Sequence, residues 1–198
     1  LSILFLVATL LLCSCGQSSK KKDDSSISND KIIQVQQEFL NNLSLLCGMS
    51  FEGHETFSKD GRDSWVDKKM VMNVKTCEND KVLIPFYIDE DSSRTWMFLL
   101  EDKGLRFRHN HVDSDGTPHE ITLYGGYADD TGSAFRQCFP SDNYTNQLLA
   151  DSIQRKWGVI LADDMSLLSY QLFFFDELVF QADFVITLSL IHISEHTR

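Results

Sequence analysis

The chain has 198 residues, with 29 acidic against 18 basic side chains and a net charge of -11. So acidic a surface argues against a nucleic-acid partner, because phosphates need neutralising cations. Residues 31–187 are enough for one domain with a real core.

The first element is an apolar run. Leu1 to Leu12 carry only Ser2 and Thr9 as polar side chains, too short for a spanning helix of about 20 residues. The run fits the hydrophobic centre of a secretory signal, truncated at its start, over residues 1–14. It ends in Leu12-Cys13-Ser14-Cys15, which resembles a bacterial lipobox, with Cys15 as the lipidated residue. A charged, serine-bearing tether then runs to residue 30. The partners expected on these grounds are a membrane, through the lipid, and a small-molecule ligand, with no nucleic acid. Gly16 is not the Asp associated with inner-membrane retention, which favours the outer membrane. With Cys15 acylated, Cys47, Cys77 and Cys138 remain. Three is an odd number, so a Cys77–Cys138 bridge and buried free thiols are both open.

From residue 31 the pattern becomes helical. Ile32, Val35, Phe39, Leu43 and Leu46 share one face, with Ser28 or Asn29 suited to cap the start and Gly48 the end. After Gly48 the period changes to two. Met70, Met72 and Val74 fall on one side of a strand; Val82, Ile84, Phe86 and Ile88 on one side of the next, where Pro85 suggests an edge or a bulge. "RTWMFLLEDKGLRFRHNHV" predicts a hairpin turning at Asp102-Lys103-Gly104. "EITLYGGY", "SAFRQCFP", "WGVILA", "SYQLFFF" and "LVFQADFVI" predict further strands, and "SDNYTNQLLADSIQ" a short helix.

The expected fold is therefore mainly β: an antiparallel, about ten-stranded barrel, lipocalin-like or calycin-like, with one N-terminal amphipathic helix packed on it or plugging an end. "LCGMSFEG" resembles the glycine-then-aromatic opening of lipocalin-like barrels, with Phe51 where a Trp is usual.

The chemistry-bearing stretch is "GLRFRHNHVDSDGTPHE", residues 104–120. Alternation puts Leu105, Phe107, His109 and His111 on one face, and the apolar start of that face points it inward. His109 and His111, one residue apart on a strand, have a spacing that can chelate a transition metal, with Asp113 as a third ligand. The competing reading makes them hydrogen-bonded polar groups at a cavity mouth. "DSDGTPHE" is turn chemistry without the spacing of a calcium loop, and His119 reads as a turn residue. "YGGYADDTGSA" lacks the lysine of a phosphate loop. Arg94, beside Trp96, could clamp an anion, and Tyr124, Gln137 and Tyr144 could add polar groups to a pocket. No nucleophile elbow or paired-carboxylate arrangement can be read from spacing, and the cofactor is left open.

"IPFYIDEDSSRTW", "GLRFRHNHVDSDGTPHEITLYGG" and "FRQCFPSDNYT" resemble a family of bacterial secreted and lipid-anchored proteins that has no assigned activity. The resemblance covers roughly residues 45–187. It implies an envelope location and one β-rich domain. Within the shared motifs, Arg94, Trp96, His109, His111, Asp115, Tyr124 and Gln137 are the candidates for a common pocket.

The last residues differ in kind. "LSLIHISEHTR", residues 188–198, resembles the translation of a transposase adapter used in sequencing libraries, with His196 at a Pro position, and is set aside with its two histidines. Three functions follow as expectations: a lipoprotein binding a small ligand in its barrel, a metal-dependent hydrolase or lyase built on His109 and His111, and a structural or protein-binding lipoprotein with a filled barrel.

Overall fold

The computed structural model describes residues 24–61 and 65–187. The signal-like run, Cys15 and the adapter-like tail lie outside them. Eleven strands and two α-helices follow one another: α1 (Asp24–Ser44), β1 (Ser50–Ser58), β2 (Met70–Asn73), β3 (Thr76–Glu78), β4 (Lys81–Ile88), β5 (Asp91–Glu101), β6 (Gly104–His111), β7 (Tyr124–Tyr127), β8 (Arg136–Pro140), α2 (Asn143–Leu149), β9 (Arg155–Leu161), β10 (Leu167–Phe174) and β11 (Glu177–Val185). All strand pairs are antiparallel. Ten strands run β7-β6-β5-β4-β2-β1-β11-β10-β9-β8, with β3 paired to β4. The two end strands, β7 and β8, meet, so the barrel is nearly closed.

The period-two faces are observed. Val82, Ile84, Phe86 and Ile88 are buried on β4, and Met70, Met72 and Val74 are fully buried beside them. Pro85 is not on an edge strand. It faces Thr95 of β5, and on its other side β4 passes from β3 (Thr76 opposite Leu83) to β2 (Met72 opposite Phe86). The missing N–H falls at this change of partner, where it interrupts no ladder. On β1, Gly53 lies against Phe184: a Cβ there would come within 2.4 Å of the ring, so the ring packs on bare backbone.

Helix α1 crosses the barrel end at which β4 and β6 begin. It starts at Asp24, upstream of the caps expected at Ser28 or Asn29. Phe39, Leu40 and Leu43 on the helix, with Leu46 after it, are fully buried, and Phe39 meets Phe98 at 6.2 Å between ring centres. Ile32 and Val35 are only half-buried. Gln36 takes their place on the inner face, accepting a hydrogen bond from the Leu105 backbone N–H through Oε1 at 2.8 Å. Asn42 donates to the Ala134 carbonyl at 2.8 Å and Gln37 to that of Asn79 at 3.0 Å. A disulfide joins Cys47, just past the helix, to Cys77 on β3, while Cys138 is free and buried. The bridge is thus not the Cys77–Cys138 pairing considered from the sequence: Cys138 sits on β8, across the barrel from β3.

The seam between β7 and β8 is closed by backbone and by α2. Asp129 N–H donates to the Cys138 carbonyl at 2.9 Å, and Asp142 N–H to that of Gly125 at 3.0 Å. Thr145 Oγ1, fully buried, donates to the Gly125 carbonyl and accepts from the Gly125 N–H, both at 2.8 Å. Gly126 makes the approach possible, since a Cβ there would lie 1.8 Å from the Pro140 carbonyl oxygen.

Candidate functional site

With α1 across one end, the barrel fills in layers toward the other. Phe98 stacks on Phe107 at 4.7 Å, and both meet Phe139. Above them Trp96 lies between Phe86 at 4.7 Å and Tyr170 at 4.8 Å, nearly parallel to both. His109 occupies the same layer, only 7% exposed, with its ring stacked on Tyr124 at 4.5 Å.

The buried imidazole is fully satisfied. Nδ1 is 3.3 Å from the Tyr124 carbonyl, which can only accept, so Nδ1 carries the proton. Nε2 therefore accepts from the Tyr170 hydroxyl at 2.9 Å. Burial, with the charge of Arg108 next to it, lowers the His109 pKa to about 3. Burial likewise raises the Tyr124 and Tyr170 phenols.

Above this layer the barrel is hollow. A cavity of about 480 Å³ opens at the end away from α1, within the range of about 300–1,000 Å³ usual for ligand sites. Tyr124, Trp157 and Tyr170 form its base, and Leu172, Val179 and Phe180 rise along β10 and β11. Trp65, from the segment after β1, leans edge-on against Phe180 at 5.2 Å. The Trp65 backbone N–H donates to Glu55 Oε2 at 2.5 Å.

Four basic side chains face this space: Arg94, His111, His119 and Arg155. Arg94 and His111 are direct cross-strand partners on β5 and β6. The His111 ring stacks on that of His119 at 4.3 Å, and the His111 backbone N–H donates to Thr122 Oγ1 at 2.7 Å. Burial first, then Arg94 and His119, hold the His111 pKa below its usual value, against the weaker pull of Asp91 and Asp113. Arg94 pairs with Asp91, and Arg155 makes two bonds to Asp151, at 2.6 and 2.7 Å.

The sequence candidates thus separate. Arg94, His111 and Tyr124 line the cavity, while Trp96 and His109 lie in the layer supporting it. Gln137 is at the other end, fully buried, donating to the Ser133 carbonyl at 2.9 Å and bordering a cavity of about 130 Å³ under α1. Tyr144 lies on α2, half-exposed, its ring against the Arg108 guanidinium. Asp115 closes a turn by accepting from Thr117. His109, His111 and Asp113 do not come together as a metal site: both His109 nitrogens are engaged, and Asp113 is exposed in the following loop. Among the described residues, no group of three or more His, Cys, Asp or Glu is placed to hold an ion. His119, read as a turn residue, contributes to the cavity wall. Arg155, Tyr170, Trp157 and Phe180 escaped notice because they come from strands far along the chain. The alternation of Tyr170, Leu172 and Phe174 on β10 was the available signal.

The fold and cavity define a nearly closed β-barrel with a plugged end and an open, aromatic-lined one. Comparison with protein-family models, with curated proteins and with solved structures yields no match.

Proposed function

We propose that this chain is a lipid-anchored protein of the bacterial cell envelope whose barrel holds a small ligand in the cavity above His109 and Trp96. The observation that carries the binding reading is the hollow itself. The barrel is packed from α1 up to the Trp96–Tyr170 layer and then stops, leaving an apolar space with a few polar groups, the usual construction of a ligand site. The lipobox-like Leu12-Cys13-Ser14-Cys15 and the resemblance to secreted and lipid-anchored proteins support the envelope placement. The Cys47–Cys77 bridge adds to it, because disulfides persist in oxidising compartments. The outer membrane is the preferred location.

Binding is tested with an uncharged fluorescent probe, N-phenyl-1-naphthylamine. One probe per protein is expected, displaced when Val179→Trp fills the space. A probe that does not bind, or binds equally to the filled variant, overturns the reading. Anchoring is tested by labelling cells with radioactive palmitate: the natural chain takes up label and Cys15→Ala does not. Equal labelling of both removes the anchor at Cys15.

A further inference from the structure

We infer that the cavity takes an amphipathic anion, an apolar body carrying a carboxylate, with the head group held at Arg94 and His111 and the body lying against Trp157, Tyr170 and Phe180. This rests on the binding reading above and names the class of ligand.

The charge distribution carries the inference. The chain has 29 acidic and 18 basic side chains, so a cavity placed at random on it would meet more carboxylates than cations. Among the described residues the opposite holds: two arginines and two histidines line the space, and no aspartate or glutamate does. Both arginines keep a carboxylate partner outside the lining, Asp91 and Asp151. Arg94 is 29% exposed and Arg155 14%, so each is fixed in direction yet reaches the opening. An arginine fork so held can offer its remaining N–H donors to a ligand carboxylate. His111 and His119 add ring N–H donors on the same wall.

The rest of the lining requires the other half of the ligand. A small hydrophilic anion would leave the Trp157, Tyr170, Leu172 and Phe180 surfaces wet, whereas an alkyl or aromatic body buries them. Ile121, part of the lining, is an exposed apolar side chain, and so are Val66, Leu123 and Phe175, the chain neighbours of the lining residues Trp65, Tyr124 and Phe174. They suit a ligand that arrives from a lipid surface.

The experiment compares decanoate, decanol and decylamine by fluorescence, since Trp65 and Trp157 border the cavity. Decanoate is expected to bind about ten-fold tighter than decanol, a difference of about 1.4 kcal/mol, and decylamine more weakly than either. Arg94→Met should remove the preference for decanoate while decanol affinity stays within about two-fold. Asp91→Asn, which frees Arg94 from its competing carboxylate, should tighten decanoate. Equal affinity for decanoate and decanol, or an Arg94→Met protein that keeps the preference, overturns the anionic class and leaves small-ligand binding standing. Failure of all three compounds together with N-phenyl-1-naphthylamine overturns the binding reading as well.

Discussion

The Tyr170 hydroxyl, on β10, donates to Nε2 of His109, on β6, across the barrel at 2.9 Å. Because Nδ1 already donates to the Tyr124 carbonyl, this one contact fixes a neutral imidazole in a single tautomer beneath the cavity.

Protonating His109 would break that contact, and this makes stability depend on pH. Its pKa is about 3 in the folded chain against 6.5 as the ordinary value. Above 6.5 the group is neutral in both states. Between 6.5 and about 3 the unfolded chain takes up a proton that the folded one refuses, so stability falls as pH falls, by up to about 1.4 kcal/mol per pH unit. Urea unfolding of the natural chain and of His109→Gln at several pH values between 7.5 and 4 checks this. The variant should be less stable at pH 7.5 and lose less on acidification. Parallel acid profiles would contradict the assignment.

Arg108 points away from the cavity yet is only 3% exposed, because α2 covers it. Its guanidinium pairs with Asp142 and reaches Thr145 Oγ1 at 3.4 Å. Asp142→Asn keeps a side chain able to cap α2 but strands the buried cation. Since Asp142 is partly exposed, a loss of about 2–4 kcal/mol is expected. Adding Arg108→Met to the same chain should recover most of it. A single-variant cost below about 1 kcal/mol in urea unfolding would show that the pair does not hold the seam.

The Cys47–Cys77 bridge spans 30 residues and ties the end of α1 to β3. Closing a loop of that length stabilises a fold by about 3–4 kcal/mol in the chain-entropy account. Cys47→Ser with Cys77→Ser should lower the urea midpoint accordingly. Cys138→Ser should leave the mass shift on thiol labelling of the reduced, unfolded protein one label smaller without touching the bridge. A double variant as stable as the natural chain would argue that the helix needs no tether.

Much of the barrel was legible because strand alternation is a local signal. Val82 to Ile88 and Leu105 to His111 announced their inward faces, and Gly104 announced its hairpin. The helix face was legible only in part: Gln36 is polar by type, and only its bond to Leu105 explains its burial. Sidedness also failed to give height. Gln137 and His111 both belong to inner faces, yet one lies under α1 and the other beside the opening. That distinction depends on register around the barrel. The pairing of Cys47 with Cys77 depended on where the helix came to rest. Arg155 gave no signal, since one arginine at a strand start resembles any other until the strands of both halves are assembled.

The pairing of β1 with β11 has a consequence for how the chain is made. Synthesis delivers β1 well before β11, and the two share a ladder from Gly53–Phe184 to Ser58–Phe180. Until Glu177 has emerged, one side of β1 has no neighbour, and an uncovered strand edge invites pairing with other molecules. A nascent chain of this protein therefore carries one unpaired edge of β1 for nearly its whole length, and a product cut short before β11 is a candidate for aggregation rather than a smaller barrel.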